Sequence, residues 1–109
     1  MKLSVCIIHN RDKAKTTEEL IRAGFKFTVI GSTGGFLREG NTTMLIGVED
    51  DEVEGLMSLI SQTCRSREQL VNVAPIEPGQ PTGFVSNPIK VPVGGAVVFV
   101  LNVEQFGRF

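Results

Sequence analysis

Residues 25–49, FKFTVIGSTGGFLREGNTTMLIGVE, predict two strands joined by a glycine-rich stretch. Side chains of residues 25–32 alternate between apolar and more polar types, which indicates a strand with one apolar face. Residues 42–49 predict a second, mostly apolar strand, in which Gly47 leaves its backbone uncovered. These two strands, followed in both directions along the chain, determine the predicted fold.

One strand and one helix are predicted on the N-terminal side. Residues 3–8, LSVCII, are short and β-branched, as in a strand. A helix follows, whose apolar stripe is predicted at three- and four-residue spacings: Ala14, Thr17, Leu20, Ile21 and a terminating Gly24.

The C-terminal side is predicted to contribute a second helix and two strands. Asp51 and Glu54 have capping-box spacing. The helix stripe that follows is Val53, Leu56, Met57, Ile60 and Cys64. Residues 67–74 predict a short strand, Pro75–Pro92 a long loop, and residues 94–106 the last strand.

The order β-α-β-β-α-(β)-β predicts an α+β fold of the ferredoxin-like type, with two helices on one face of an antiparallel sheet. We expect residues 1–109 to form a single domain. Several strands carry apolar or small residues on both faces, so the face without helices needs a cover. Copies of the same chain would provide it, which predicts a homo-oligomer.

Composition excludes several classes of function. The 109 residues carry a formal charge of −1, which disfavours DNA or RNA as the partner. No apolar run approaches the roughly 20 residues that span a bilayer, and the start shows no leader, so we expect no membrane association and a cytoplasmic location. Cys6 and Cys64 lack a CxxC partner and are predicted to be buried free thiols.

Candidate catalytic and metal-binding residues are few. His9 is the one histidine, and we expect a hydrogen-bonded surface residue rather than a general base. One histidine and two distant cysteines provide no metal-ligand pair, and no cofactor motif is present. The acidic residues 49–54 are interpreted as helix capping rather than as a cation site. We therefore expect no enzyme activity; a small enzyme would depend on His9 or Cys6.

The glycine stretch, GSTGGFLREGNTT at residues 31–43, matches neither a Walker loop nor a dinucleotide fingerprint. Its amides at Gly34 and Gly35 can form an anion nest, with Phe36 as an apolar surface for a base. Asn41 can both donate to and accept from a base edge. A plain glycine-rich hairpin remains the alternative on these residues alone.

Four blocks in this order resemble the PII-like family of cyclic-di-AMP receptors: TGGFLREGNTT, IGVED, TCRSREQ and VGGAVVFVLNVEQF. The resemblance covers nearly the whole chain. It implies a cytoplasmic, non-enzymatic homotrimer of ferredoxin-like subunits that binds cyclic di-AMP in clefts between neighbouring subunits. It also implies a downstream protein partner, whose identity the sequence does not give.

The resemblance further implies a set of ligand-binding residues: Lys26, Thr28, Gly35, Phe36, Leu37, Asn41, Gly47 and Arg108. The family more often has arginine at the position of Lys26 and glutamine near that of Arg108. Lysine lacks the planar guanidinium fork, so Lys26 would act as a point charge. The alternative hypothesis is a PII-type regulator of another nucleotide, such as ATP, or of a small anion.

Overall fold

The computed structural model describes residues 1–32, 40–72 and 88–109. The chain forms strands and helices in the following order: β1 (Lys2–His9), α1 (Lys13–Arg22), β2 (Phe27–Ser32), β3 (Asn41–Val48), α2 (Val53–Cys64), β4 (Arg67–Asn72), β5 (Pro88–Val93) and β6 (Ala96–Asn102). Short 3-10 turns, Asn10–Asp12 and Asp50–Glu52, precede the two helices.

The main sheet has the strand order β2-β3-β1-β6, and every neighbouring pair is antiparallel. β4 and β5 pair with each other in a separate two-stranded sheet. In the main sheet Leu3 lies opposite Gly47, and Thr28 lies opposite Leu45. This is the predicted ferredoxin-like α+β fold.

The core lies between the main sheet and the two helices. Strict alternation along β1 and β3 places every second side chain under the helices, where it is buried. The core cluster consists of Cys6, Ile8, Leu20, Met44, Ile46, Val48, Leu56, Ile60 and Cys64. Burial of this apolar area is the main favourable term in folding.

Among the described residues, no helix lies over the opposite face of the sheet. It carries apolar side chains on each strand: Leu3, Val5 and Ile7 on β1, Ile30 on β2, Leu45 on β3, and Val97, Phe99 and Leu101 on β6. The three β6 residues are 52%, 53% and 50% exposed. We call this set the open sheet face; its apolar character agrees with the sequence prediction.

The predicted helix stripes were partly wrong. In α1 the buried residues are Thr16 and Leu20, whereas Ile21 is 68% exposed. In α2, Met57 is 42% exposed although Leu56 is fully buried. A stripe of four or five apolar residues is wider than the part of each helix that contacts the sheet, so residues at its margin remain in solvent.

The start of α2 also differs from the prediction. The capping box joins Glu49 and Glu52, not Asp51 and Glu54. The backbone N–H of Glu49 donates to Oε1 of Glu52 over 3.0 Å. The 3-10 turn adds residues before the α-helix, so the first unpaired N–H groups lie earlier in the sequence than the apolar stripe indicates.

Near the C-terminus, one loop prediction and the predicted end of the last strand were wrong. Part of the segment predicted as loop forms β5, in which Pro88 pairs with Asn72 and Pro92 with Glu68. Both prolines have the same parity along β5, so their missing N–H groups fall on one side of the strand, and a two-stranded sheet tolerates proline on its outer side. The last strand ends at Asn102, four residues before the predicted end.

A partly buried ion pair joins the β4–β5 hairpin to the body of the protein. Nη2 of Arg67 lies 2.9 Å from Oδ1 of Asp12, whose side chain is 7% exposed. Hydrogen bonding to Asp12 and its charge raise the pKa of Arg67. Gly94, at φ +78°, passes close by, and a Cβ there would lie 2.5 Å from Nη1 of Arg67 and 2.9 Å from the carbonyl oxygen of Arg65.

Both cysteines are buried free thiols, as predicted. Oγ of Ser4 lies 3.3 Å from Sγ of Cys6, and Oγ1 of Thr16 lies 3.1 Å from Sγ of Cys64. Burial raises the pKa of the Cys6 thiol, and the hydrogen bond with Ser4 opposes this change. Within the described ranges, no helix combines the length and the apolar character needed to cross a membrane.

Candidate functional site

A cleft of about 680 Å³ opens on the open sheet face, at the end where β1 and β2 begin and β3 ends. Its lining residues come from these three strands, from the residues directly beside them and from the chain after β6: Met1, Lys2, Leu3, Lys26, Phe27, Thr28, Leu45, Gly47, Glu49, Val103, Phe106 and Arg108. This volume lies within the range of about 300–1,000 Å³ that is typical of small-molecule sites.

The floor of the cleft is set by strand pairing. Leu3 lies opposite Gly47, and Thr28 lies opposite Leu45. Because Leu45 and Gly47 are two residues apart on β3, all four side-chain positions share one face of the sheet. Gly47 is exposed, and no heavy atom lies within 4 Å of the position of a Cβ there. The middle of the floor is therefore bare backbone, with Leu3 opposite it on β1 and Leu45 two residues before it on β3, which suits a flat ring.

The cleft is more basic than the chain as a whole. Its lining has three basic side chains, Lys2, Lys26 and Arg108, against the carboxylate of Glu49, whereas the complete chain has a formal charge of −1. Nζ of Lys2 donates to Oδ1 of Asn102, which fixes that lysine against β6. Cations gathered at one concave surface favour an anionic ligand.

The lining also has apolar walls. Phe27 packs partly against the core from β2, while Phe106, from the segment after β6, is 68% exposed at the cleft. Aromatic side chains offer area for stacking with a base. Thr28 adds an exposed hydroxyl beside them. The cleft therefore combines a cationic part, a hydroxyl and apolar surface, a set that suits a nucleotide.

The structure brings four of the eight predicted site residues together: Lys26, Thr28, Gly47 and Arg108 all line this cleft. Asn41 begins β3 and pairs with His9, six residues before Gly47, or about 20 Å along the strand. Asn41 is not among the described residues that line this cleft. Gly35, Phe36 and Leu37, like Gly34 of the predicted anion nest, lie outside the described residues.

The sequence interpretation missed several lining residues. Leu45 and Glu49 share the parity of Gly47 along the strand, so the alternation rule could have found them. The acidic residues 49–54 were given a capping role only, but Glu49 both caps the 3-10 turn before α2 and lines the cleft. Phe106 gave no periodic signal, because it follows the end of β6.

His9 does not match its predicted description. The side chain lies at the end of β1 and is half-buried, and its Nδ1 atom is buried without a hydrogen-bond partner among the described residues. It is absent from the lining of the cleft. In the described ranges, no group of three His, Cys, Asp or Glu residues is arranged to hold a metal ion.

Comparison with known families identifies the chain. The model of the cyclic-di-AMP receptor family matches residues 1–109. This chain belongs to the cyclic-di-AMP receptor family. The match covers the open sheet face, the cleft and every predicted ligand residue.

Two solved structures share the fold. A functionally unknown protein from Pediococcus pentosaceus is 35% identical, with a TM-score of 0.77, and the match covers 99% of this chain and 96% of that one. CPII from Thiomonas intermedia, bound to ADP, AMP and acetate, is 19% identical, with a TM-score of 0.60, and the match covers 98% and 88% of the two chains. The second likeness shows a PII-like fold. Together with the family match, it supports a nucleotide-binding regulator.

Proposed function

We propose that the protein is a cytoplasmic signalling receptor, one domain over residues 1–109, that binds cyclic di-AMP between the subunits of a homotrimer and catalyses no reaction. The observation that carries this proposal is the cleft, which is lined by the basic residues Lys26 and Arg108 together with the bare backbone of Gly47. Cyclic di-AMP presents two phosphates for the cations and two flat bases for the apolar and backbone surfaces.

The open sheet face supports a site between subunits. Leu3 and Leu45 belong both to that face and to the cleft lining. A second copy that covers Val97, Phe99 and Leu101 would therefore stand next to the cleft and add a wall to it. Burial of such a face between identical chains is the usual route to a symmetric oligomer.

The remaining predicted ligand residues fit the same proposal. Phe36, Leu37 and the amide of Gly35 would complete the base and phosphate contacts, and Asn41 would read a base edge. In a trimer, residues about 20 Å apart along β3 can serve clefts at both ends of the sheet, or two parts of one extended ligand. Ligand binding would then change docking on a downstream protein.

Calorimetric titration tests the ligand. Cyclic di-AMP should bind with micromolar affinity or tighter, about −8 kcal/mol, and cyclic di-GMP and ATP should bind more weakly. Lys26→Met should weaken binding about tenfold or more, because a hydrogen bond to a charged group is lost. Lys15→Met, at an exposed position of α1 away from the cleft, is the matched control.

A second candidate is a PII-type regulator of another nucleotide, such as ATP, or of a small anion. The observation in its favour is that Lys26 offers a point charge without the planar geometry that would restrict the phosphate arrangement. CPII, which shares the fold, is described as bound to ADP and AMP. Clear binding of ATP with no heat from cyclic di-AMP would establish this candidate and refute the first.

A further inference from the structure

Along β3, the cleft floor changes from an apolar residue to a carboxylate, and the ligand contacts proposed above do not use this change. Leu45, Gly47 and Glu49 all line the cleft. Alternation places them on the same face, and the extended backbone of Glu49, at φ −77° and ψ 159°, continues that alternation beyond the last residue of the strand. Successive members of this row are about 6.8 Å apart along the strand.

One placement of a planar base along this row directs its hydrogen-bonding edge to Glu49. Gly47 leaves the floor open, since no atom lies within 4 Å of the position of a Cβ there. A ring over Gly47 has the side chain of Leu45 on one side and the carboxylate of Glu49 on the other. Leu45 offers packing only, whereas Glu49 offers acceptor oxygens, so an amine that points along β3 from a ring over Gly47 is directed to the Glu49 carboxylate.

The carboxylate of Glu49 has acceptor capacity for this contact. Its side chain is 63% exposed, and Oε2 lies 3.9 Å from the ammonium nitrogen of Met1. A carboxylate has about four acceptor sites and no donor, so it selects N–H or O–H groups and repels phosphate. The phosphates are then expected nearer the basic lining residues Lys26 and Arg108 than the Glu49 carboxylate.

We propose that Glu49 determines base selectivity: its carboxylate accepts a hydrogen bond from the exocyclic amine of an adenine that lies over Gly47. This inference rests on the proposed function, because it takes cyclic di-AMP as the ligand of the cleft. It assigns to Glu49 a binding role in addition to its place in the capping box with Glu52.

A thermodynamic cycle between residue and ligand tests this contact. The ligands are cyclic di-AMP and its purine analogue, in which hydrogen replaces each exocyclic amine while both phosphates remain. The ratio of the two dissociation constants is measured by calorimetry for the wild type, Glu49→Ala and Glu49→Gln. Both ligands carry the same charge, so a general electrostatic effect of the substitution cancels in this ratio.

We expect the preference for cyclic di-AMP to fall at least about tenfold in Glu49→Ala, since a charge-assisted hydrogen bond is lost. Glu49→Gln should lose less, because its amide oxygen still accepts. Asp50→Asn is the matched control: Asp50 lies 3.2 Å from the same ammonium nitrogen but does not line the cleft, so its ratio should stay at the wild-type value.

The possible failures are distinguishable. A wild type that does not bind cyclic di-AMP overturns both the proposed function and the role of Glu49. A wild type that binds it, with the same ratio in all three Glu49 forms, overturns the role of Glu49 alone. The 2′-deoxy analogue of cyclic di-AMP provides a further check: coupling of Glu49 to the 2′-hydroxyl instead of the amine assigns the carboxylate to the ribose and refutes the contact with the base.

Discussion

Phe99→Ala tests whether copies of the chain cover the open sheet face. Phe99 is 53% exposed on β6, so about half of its side chain is already buried within the subunit. A phenylalanine has roughly 200 Å² to bury, so about 100 Å² remains available to a neighbouring subunit. At about 25 cal/mol per Å², and after allowing for the alanine methyl, each subunit loses about 2 kcal/mol of assembly free energy.

The effect is multiplied by symmetry. Three equivalent subunits lose about 6 kcal/mol together, which raises the trimer dissociation constant about 10⁴-fold. The concentration of half-assembly scales with the square root of that constant, so it should rise about a hundredfold. The substitution also removes the buried half of the ring, which lowers the stability of each subunit by about 2 kcal/mol. Assembly is therefore measured well below the unfolding temperature.

Sedimentation equilibrium over a dilution series measures this shift directly. Ile21→Ala is the control, because Ile21 is 68% exposed on α1, away from the open sheet face, and its replacement should leave assembly unchanged. A wild type that stays monomeric up to its solubility limit refutes the reasoning. An unchanged midpoint in Phe99→Ala refutes the placement of the interface on β6.

Three further predictions concern individual residues. An alanine in the left-handed conformation costs about 1–2 kcal/mol of stability. Gly94→Ala should destabilise the fold by more than this, because a Cβ there meets nearby atoms, whereas Gly24→Ala, at φ +84° in open space, should lose only the conformational part. Urea unfolding of both variants measures the difference. Because burial raises the folded-state pKa of the Cys6 thiol above its ordinary value of 9.0, the stability that it contributes is complete below that pH and is lost as the pH rises through the folded pKa. Wild type should therefore lose more stability than Cys6→Ala between about pH 8 and about pH 10, and equal losses would contradict this. Asn41→Ala should weaken cyclic-di-AMP binding in calorimetry with assembly and melting temperature unchanged; loss of the oligomer would instead make the residue structural.

Local patterns predicted most of the fold because each strand and helix has a clear period. The alternation along β1 and β3 and the three- and four-residue spacing in α2 identify which side chains face the core. The same patterns did not show which residues at the edges of the two helix stripes remain exposed. Ile21 and Met57 have the right spacing for their stripes but lie outside the contact between helix and sheet, which depends on how the helices are placed.

The hairpin of β4 and β5 could not be predicted from local signals. Proline removes a donor, so Pro88 and Pro92 indicate a loop unless the strand has a free side, and that side exists only once β5 has paired with β4. Similarly, the end of the last strand depends on its pairing with β1, where Lys2 meets Asn102 and the ladder stops.

The sequence by itself determined the order of elements, the apolar character of both sheet faces and, through the resemblance of its four blocks, the family. These properties depend on spacing and on residue identity along the chain. The resemblance named Lys26, Gly47 and Arg108 as ligand residues, but only the tertiary structure shows that they share one cleft with Glu49, because these residues lie beside the start of β2, at the end of β3 and after β6. Antiparallel pairing in a fixed register makes these distant positions neighbours, and no local period encodes that pairing.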